Sequence, residues 1–158
     1  MKTHFQIFSE CETDTKNIAN KISSIFRMGD VIILEGDLGA GKTHFVKGFA
    51  DGLNSKNVVT SPTFSIANFY KSRDITLLHI DLYRIATINE FYDLGLIDYF
   101  DQSVTMIEWG MKFEDYVDDF LLITIKILDN NSRLISFEIK GDKYNSIIDS
   151  IENILTKQ

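Results

Sequence analysis

A single cysteine, a single proline and a single tryptophan stand among the 158 residues, and each scarcity removes a class of explanation. Cys11 alone makes no internal disulfide and no four-cysteine zinc site, and it fits a reducing compartment. The N-terminal MKTHFQIFSE has no long apolar centre, and no later run approaches the roughly 20 residues that span a bilayer. The expectation is a cytoplasmic chain with no membrane association. Basic clusters are also missing: the formal net charge is −7, with neither a basic tail nor a basic stripe. Direct contact with a nucleic acid is therefore not expected, and any role in RNA biology would pass through a partner protein. What is present is 44% hydrophobic residues, enough at this length for one globular domain spanning residues 1–158.

Against that background one stretch stands out, Val31 to Thr43, VIILEGDLGAGKT. Gly36, Gly41, Lys42 and Thr43 fit the G-x-x-x-x-G-K-[ST] pattern, and the loop between them comprises Asp37, Leu38, Gly39 and Ala40. Glycines let the backbone approach an anion closely, so that N–H groups wrap the phosphates of a nucleoside triphosphate. Lys42 supplies a mobile positive charge for the β- and γ-phosphates, and the Thr43 hydroxyl is placed to ligate Mg²⁺. A short strand, Val31 to Glu35, precedes the loop. Phe45, Val46, Phe49, Ala50 and Leu53 then recur at helical spacing, so a helix N-terminus adds its partial positive charge.

Taken in order, the chain opens with an edge strand over His4 to Phe8. Ser9 and Glu12 have capping-box spacing ahead of a helix that places Ile18, Ile22, Ile25 and Phe26 on one face. Thr13, at the start of that helix, is a candidate for contact with a nucleotide base, or simply a polar capping residue. The polar loop NSKNVVTSPT contains Pro62, which stiffens the backbone around Ser61 and Thr63. It reads either as a switch loop that senses the γ-phosphate and its metal or as a surface turn.

Two strands follow, Phe64 to Tyr70 and Ile75 to Ile80, and the second delivers Asp81 at its carboxyl end, where ligands of parallel sheets sit. Thr87 and Glu90 form another capping box, and Gly95 interrupts the helical region it opens. The strand Val104 to Ile107 ends in Glu108, a second carboxylate at a strand terminus, beside Trp109. Phe120 to Leu128 and Arg133 to Lys140 make a hairpin across DNNS, and a final helix carries Tyr144, Ile147, Ile148, Ile151, Ile154 and Leu155. The acidic group Glu114, Asp115, Asp118 and Asp119 reads as a solvated surface. The fold class expected is α/β, a P-loop NTPase-like three-layer sandwich with a mostly parallel central sheet and an antiparallel portion.

The combination of GDLGAGKT at Gly36 to Thr43, SPTF at Ser61 to Phe64, HIDLYR at His79 to Arg84, and Glu108-Trp109 resembles the TsaE (YjeE) family over essentially the whole chain. That resemblance implies an ATPase, using ATP and Mg²⁺, required for threonylcarbamoyladenosine modification of tRNA. Its partners would be the TsaB and TsaD proteins, with tRNA touched only indirectly. By position, Lys42 and Thr43 would hold phosphate and metal, Glu108 resembles the family's Mg²⁺-site carboxylate, and Asp81 matches the acidic residue of the HxDLYR segment. Thr63 falls in the switch-like loop, Trp109 lies beside the nucleotide, and Arg133 resembles an arginine before the last strand. Two positions depart from the pattern: His44 replaces a common threonine, and Gly110 replaces a common proline. Which of Asp81 and Glu108 holds the metal and which orients the attacking water stays open, as does a role for Arg84.

Two other enzyme classes would each need further residues. A GTPase lacks its N-K-x-D segment here. A small-molecule kinase would carry an arginine-rich lid, whereas the arginines of this chain are scattered. A nucleotide-gated binding module without required turnover would use the same residues as a slow ATPase.

Overall fold

The computed structural model describes residues 2–55 and 66–157. The candidate hydroxyls Ser61 and Thr63 and the start of the strand expected from Phe64 lie outside these residues. Among the described residues, seven strands form one sheet: β1 (His4–Ser9), β2 (Val31–Glu35), β3 (Ala67–Lys71), β4 (Thr76–Asp81), β5 (Val104–Glu108), β6 (Phe120–Ile127) and β7 (Arg133–Lys140). Their order is β1-β7-β6-β2-β5-β4-β3. The central four, β6, β2, β5 and β4, run parallel, while β7, β1 and β3 join antiparallel. This is the expected mostly parallel sheet with an antiparallel portion. The β6–β7 hairpin supplies one flank and the β3–β4 pair the other.

Helices α1 (Glu12–Ile22), α2 (Lys42–Gly52) and α4 (Ile147–Thr156) cover one face of the sheet. Their apolar stripe packs with Ile32, Leu34, Leu121, Ile123 and Phe137 into the larger core. On the opposite face a second core forms around Ile33, Leu78, Ile80, Phe91, Ile107 and Phe113, beneath α3 (Ile88–Asp93) and two 3-10 segments, Leu96–Gln102 and Gly110–Tyr116. The central strand β2 contributes to both cores by alternation, which is why VIIL is a continuous apolar run. Phe26, Phe45, Phe49, Phe120 and Phe137 are fully buried, each stabilising the fold by roughly 1.5–3 kcal/mol relative to exposure.

Several local expectations need correction. Ser9 does not cap α1; it is the last residue of β1, where its buried hydroxyl donates to the Cys11 carbonyl and hydrogen-bonds Thr15 Oγ1 at 2.7 Å. Cys11 is the N-cap. Thr87 does cap α3, accepting from the Glu90 amide. That helix is only six residues long because Leu94 and Gly95 turn the chain, Gly95 at φ 70°. Tyr144 precedes α4, and its hydroxyl accepts the Val31 amide at 2.8 Å. Asp119 is more than a solvated charge, since Oδ1 accepts the amides of Asp142 and Lys143.

The contact between α1 and α2 depends on Gly48. A Cβ there would stand 2.1 Å from the Lys16 carbonyl oxygen, so the backbones touch directly. Gly48→Ala is expected to lower stability by about 1–3 kcal/mol, because the helices must separate. Urea denaturation checks this, and a midpoint equal to that of the wild type would show that α1 and α2 can separate without loss of stability.

Candidate functional site

The parallel strands β2, β4 and β5 end together, at Glu35, Asp81 and Glu108, and this edge of the sheet carries the site. Asp81 and Glu108 are register partners on adjacent strands, so the two carboxylates that sequence places 27 positions apart (108 minus 81) are brought side by side. Between β2 and α2 the loop turns tightly, with the Ala40 amide on the Asp37 carbonyl at 3.0 Å. Gly41, the N-cap of α2, has φ 105° and ψ 20°, a left-handed conformation that favours glycine. The first N–H groups of α2 thus emerge beside the carboxylates without helical acceptors of their own.

A cavity of about 450 Å³ lies there, lined by Glu12, Leu38, Gly39, Gly41, Lys42, Thr43, His44, Asp81, Tyr83, Glu108, Trp109 and Arg133. Eight expected residues therefore line it besides the two strand-end carboxylates: Leu38, Gly39, Gly41, Lys42, Thr43, His44, Trp109 and Arg133. Gly36, Asp37 and Ala40 build the loop without lining the cavity. Thr13 is exposed on the first turn of α1 and is not part of the wall; its neighbour Glu12 is. Three wall or support residues escape sequence reasoning: Glu12, Tyr83 and Glu35. Tyr83 lies within the singled-out HIDLYR segment, and its ring packs against that of Trp109 at 5.2 Å.

Lys42 is the electrostatic centre. Its ammonium is buried, donates to the Gly36 carbonyl at 2.7 Å, stands 3.9 Å from Glu108 Oε1 and lies 4.0 Å from the Trp109 ring centroid. Burial pushes its pKa down, and the charges of Glu108, Glu35, Asp81 and Asp37 pull it back up. A buried ammonium with three donors and one carbonyl at hydrogen-bond distance has capacity for anionic oxygens. Trp109 itself adopts φ 62°, a strained choice for an aromatic residue, and this turn sets its ring over Lys42.

The carboxylates differ. Asp81 is partly exposed, with Oδ1 accepting the Tyr83 amide at 2.9 Å. Glu108 is buried, with Oε2 2.5 Å from His79 Nε2. Arg133 donates from Nε to the Ala40 carbonyl at 2.9 Å and from Nη1 to the Asn131 carbonyl, so it ties β7 to the loop. His44 Nε2 lies 3.3 Å from Glu12 Oε1, an ion-pair geometry linking α2 to α1 at the cavity wall. Gly110 begins the Gly110–Tyr116 turn, and Met111 donates its amide to Glu35 Oε1 at 2.9 Å. Lys112 secures the neighbouring turn by donating to the carbonyls of Leu82, Tyr83 and Ile85.

A family model described as the threonylcarbamoyl adenosine biosynthesis protein TsaE matches residues 9–135. The chain belongs to the TsaE family. The tRNA threonylcarbamoyladenosine biosynthesis protein TsaE of Bacillus subtilis (strain 168) is 41% identical over 140 residues, covering 87% of each chain. The protein of the same name from Treponema pallidum (strain Nichols) is 35% identical over 130 residues, 81% of this chain and 96% of that one. The crystal structure of Bacillus subtilus YdiB superposes with a TM-score of 0.82 at 33% identity, covering 97% of both chains. Within the TsaE fold of this chain, the cavity sits at the shared carboxyl edge of β2, β4 and β5.

Burial also raises the pKa of Glu35 above the usual 4.5; the Met111 amide, Lys42 and Lys112 oppose the rise and Glu108 adds to it. A carboxyl whose folded pKa exceeds its unfolded value binds its proton more tightly when folded. Its ionisation therefore costs stability as pH climbs from 4.5 through the raised value, and the cost persists above it. Glu35→Gln keeps an oxygen for the Met111 amide and removes that cost. The variant is expected to melt above the wild type at neutral pH, with the difference vanishing below pH 4.5. Thermal melts across that range check it, and a lower melting point at neutral pH would mean that Glu35 is needed as an anion.

Proposed function

We propose that this TsaE-family chain binds Mg²⁺ and ATP in the cavity and hydrolyses the nucleotide to ADP and phosphate, slowly when alone. The observation that carries the reading is the convergence of Lys42, Thr43, Asp81 and Glu108 on one glycine-walled cavity. Lys42 and the first amides of α2 bind the phosphate oxygens and hold the γ-phosphate toward the carboxylates. Thr43 and one of Asp81 and Glu108 offer hard oxygen ligands suited to Mg²⁺, which when bound neutralises phosphate charge. The other carboxylate orients the attacking water. Among the described residues no cluster of three His, Cys, Asp or Glu forms a metal cage. This agrees with a cation held by one or two carboxylates together with substrate oxygens. Arg133 lines the cavity while its Nε and Nη1 hold main-chain carbonyls.

In the tRNA threonylcarbamoyladenosine pathway named for its family, the chain would act on TsaB and TsaD proteins and touch tRNA only through them. Its charge of −7 supports an indirect role. No helix of the described residues is long and apolar enough to cross a membrane. The test is release of free phosphate from ATP by purified protein without an acceptor, with GTP in parallel, and then tRNA modification after reconstitution with TsaB and TsaD. Phosphate transfer to a small molecule instead would favour the kinase reading.

A further inference from the structure

We propose that His79 is a positioning residue, whose task is to fix the rotamer of the Glu108 carboxylate and so direct its second oxygen at the cavity. The inference rests on the assignment of Glu108 to the hydrolytic site. His79 lies in β4 on the same sheet face as Leu77 and Asp81, by the two-residue alternation of a strand. Its register partner is Met106, two residues before Glu108. His79 is fully buried, and its Nε2 meets Glu108 Oε2 at 2.5 Å. Oε1, the other oxygen, faces Lys42.

The remaining atom of the ring decides the matter. His79 Nδ1 is buried with no hydrogen-bond partner among the described residues. A buried polar atom left unpaired forfeits the hydration it had in the unfolded chain and gains nothing in return. Leucine or methionine, such as the adjacent Leu77 and Met106, fills such a position without that cost. Histidine here is a poor core residue, and what it gains is one directional bond to a carboxylate. A carboxylate at the end of a strand otherwise rotates about its side-chain torsions. Bonded through Oε2, it presents Oε1 to the ammonium and the cavity in one geometry, which is what preorganised catalysis requires.

The experiment compares His79→Leu, His79→Gln, Glu108→Gln and the double variant His79→Leu/Glu108→Gln. Readouts are kcat and KM for ATP, nucleotide affinity from the fluorescence of Trp109, and melting temperature. His79→Leu should fold with a melting temperature at or above that of the wild type and bind ATP within about threefold of it, while kcat falls roughly 10–100-fold. His79→Gln, which keeps a donor, should recover part of kcat. The double variant should lose no more than Glu108→Gln, because one residue acts through the other.

Wild-type kcat in His79→Leu, with Glu108→Gln inactive, would overturn the positioning role alone. Losses that multiply in the double variant would do the same. If His79→Leu does not fold, His79→Met, which also lacks a donor for Glu108 Oε2, carries the test, and wild-type kcat per folded molecule in it overturns the role. Wild-type turnover in Glu108→Gln would instead remove the functional assignment on which the inference rests.

Discussion

Lys42→Ala is expected to reduce ATP hydrolysis by roughly 10²–10³-fold, the cost of removing a preorganised positive group from developing phosphate charge. An ammonium with its pKa lowered by desolvation is an expensive group to keep, and its one carbonyl bond, to Gly36, leaves donors unused. Phosphate oxygens entering beside Thr43 meet those donors, so affinity falls together with kcat. The variant also removes the cation that faces Glu108 at 3.9 Å and that opposes the raised pKa of Glu35. Its folding is therefore followed separately, by far-UV dichroism and Trp109 emission. Turnover by folded Lys42→Ala protein at the wild-type rate would remove Lys42 from the mechanism.

The second large effect is expected at Glu108. Glu108→Gln preserves the shape of the buried side chain and an oxygen for His79, but removes the charge that faces Lys42 at 3.9 Å. Whether Glu108 holds Mg²⁺ or orients water, hydrolysis falls by about 10²–10⁴-fold, the usual range for loss of a positioned acid or base. The two roles separate in binding. Loss of the metal ligand weakens the Mg²⁺ dependence of nucleotide affinity, whereas loss of the water-orienting group leaves it intact. Asp81→Asn should show the complementary pattern, and identical behaviour of the two variants would contradict a division of labour. A glutamine variant that hydrolyses normally would return the site to simple nucleotide binding.

The glycine loop was legible in sequence because phosphate binding demands backbone shapes that few residues adopt, and Gly41 at φ 105° is such a case. Strand β2, helix α2 and the β6–β7 hairpin were legible because their apolar spacing is dictated by one buried face. The carboxylates Asp81 and Glu108 were visible as strand ends, but their pairing depends on β4 and β5 being neighbours, which no local pattern states. His79 and Glu108 meet across 29 positions, and the Met111 amide reaches Glu35 across 76. Such contacts exist only once the sheet is assembled. The Ser9–Glu12 spacing misleads for a related reason. Pairing with β7 extends β1 through Ser9, opposite Arg133, and Thr15 then captures the hydroxyl that local chemistry would assign to a cap.

Calorimetric titration of the purified chain with ATP, with and without Mg²⁺, measures occupancy of the cavity itself. A single saturable site that tightens with Mg²⁺ and disappears in folded Lys42→Ala protein is the expected result, whereas absence of binding by the wild type, or binding unchanged by that substitution, would rule out a nucleotide site built on Lys42.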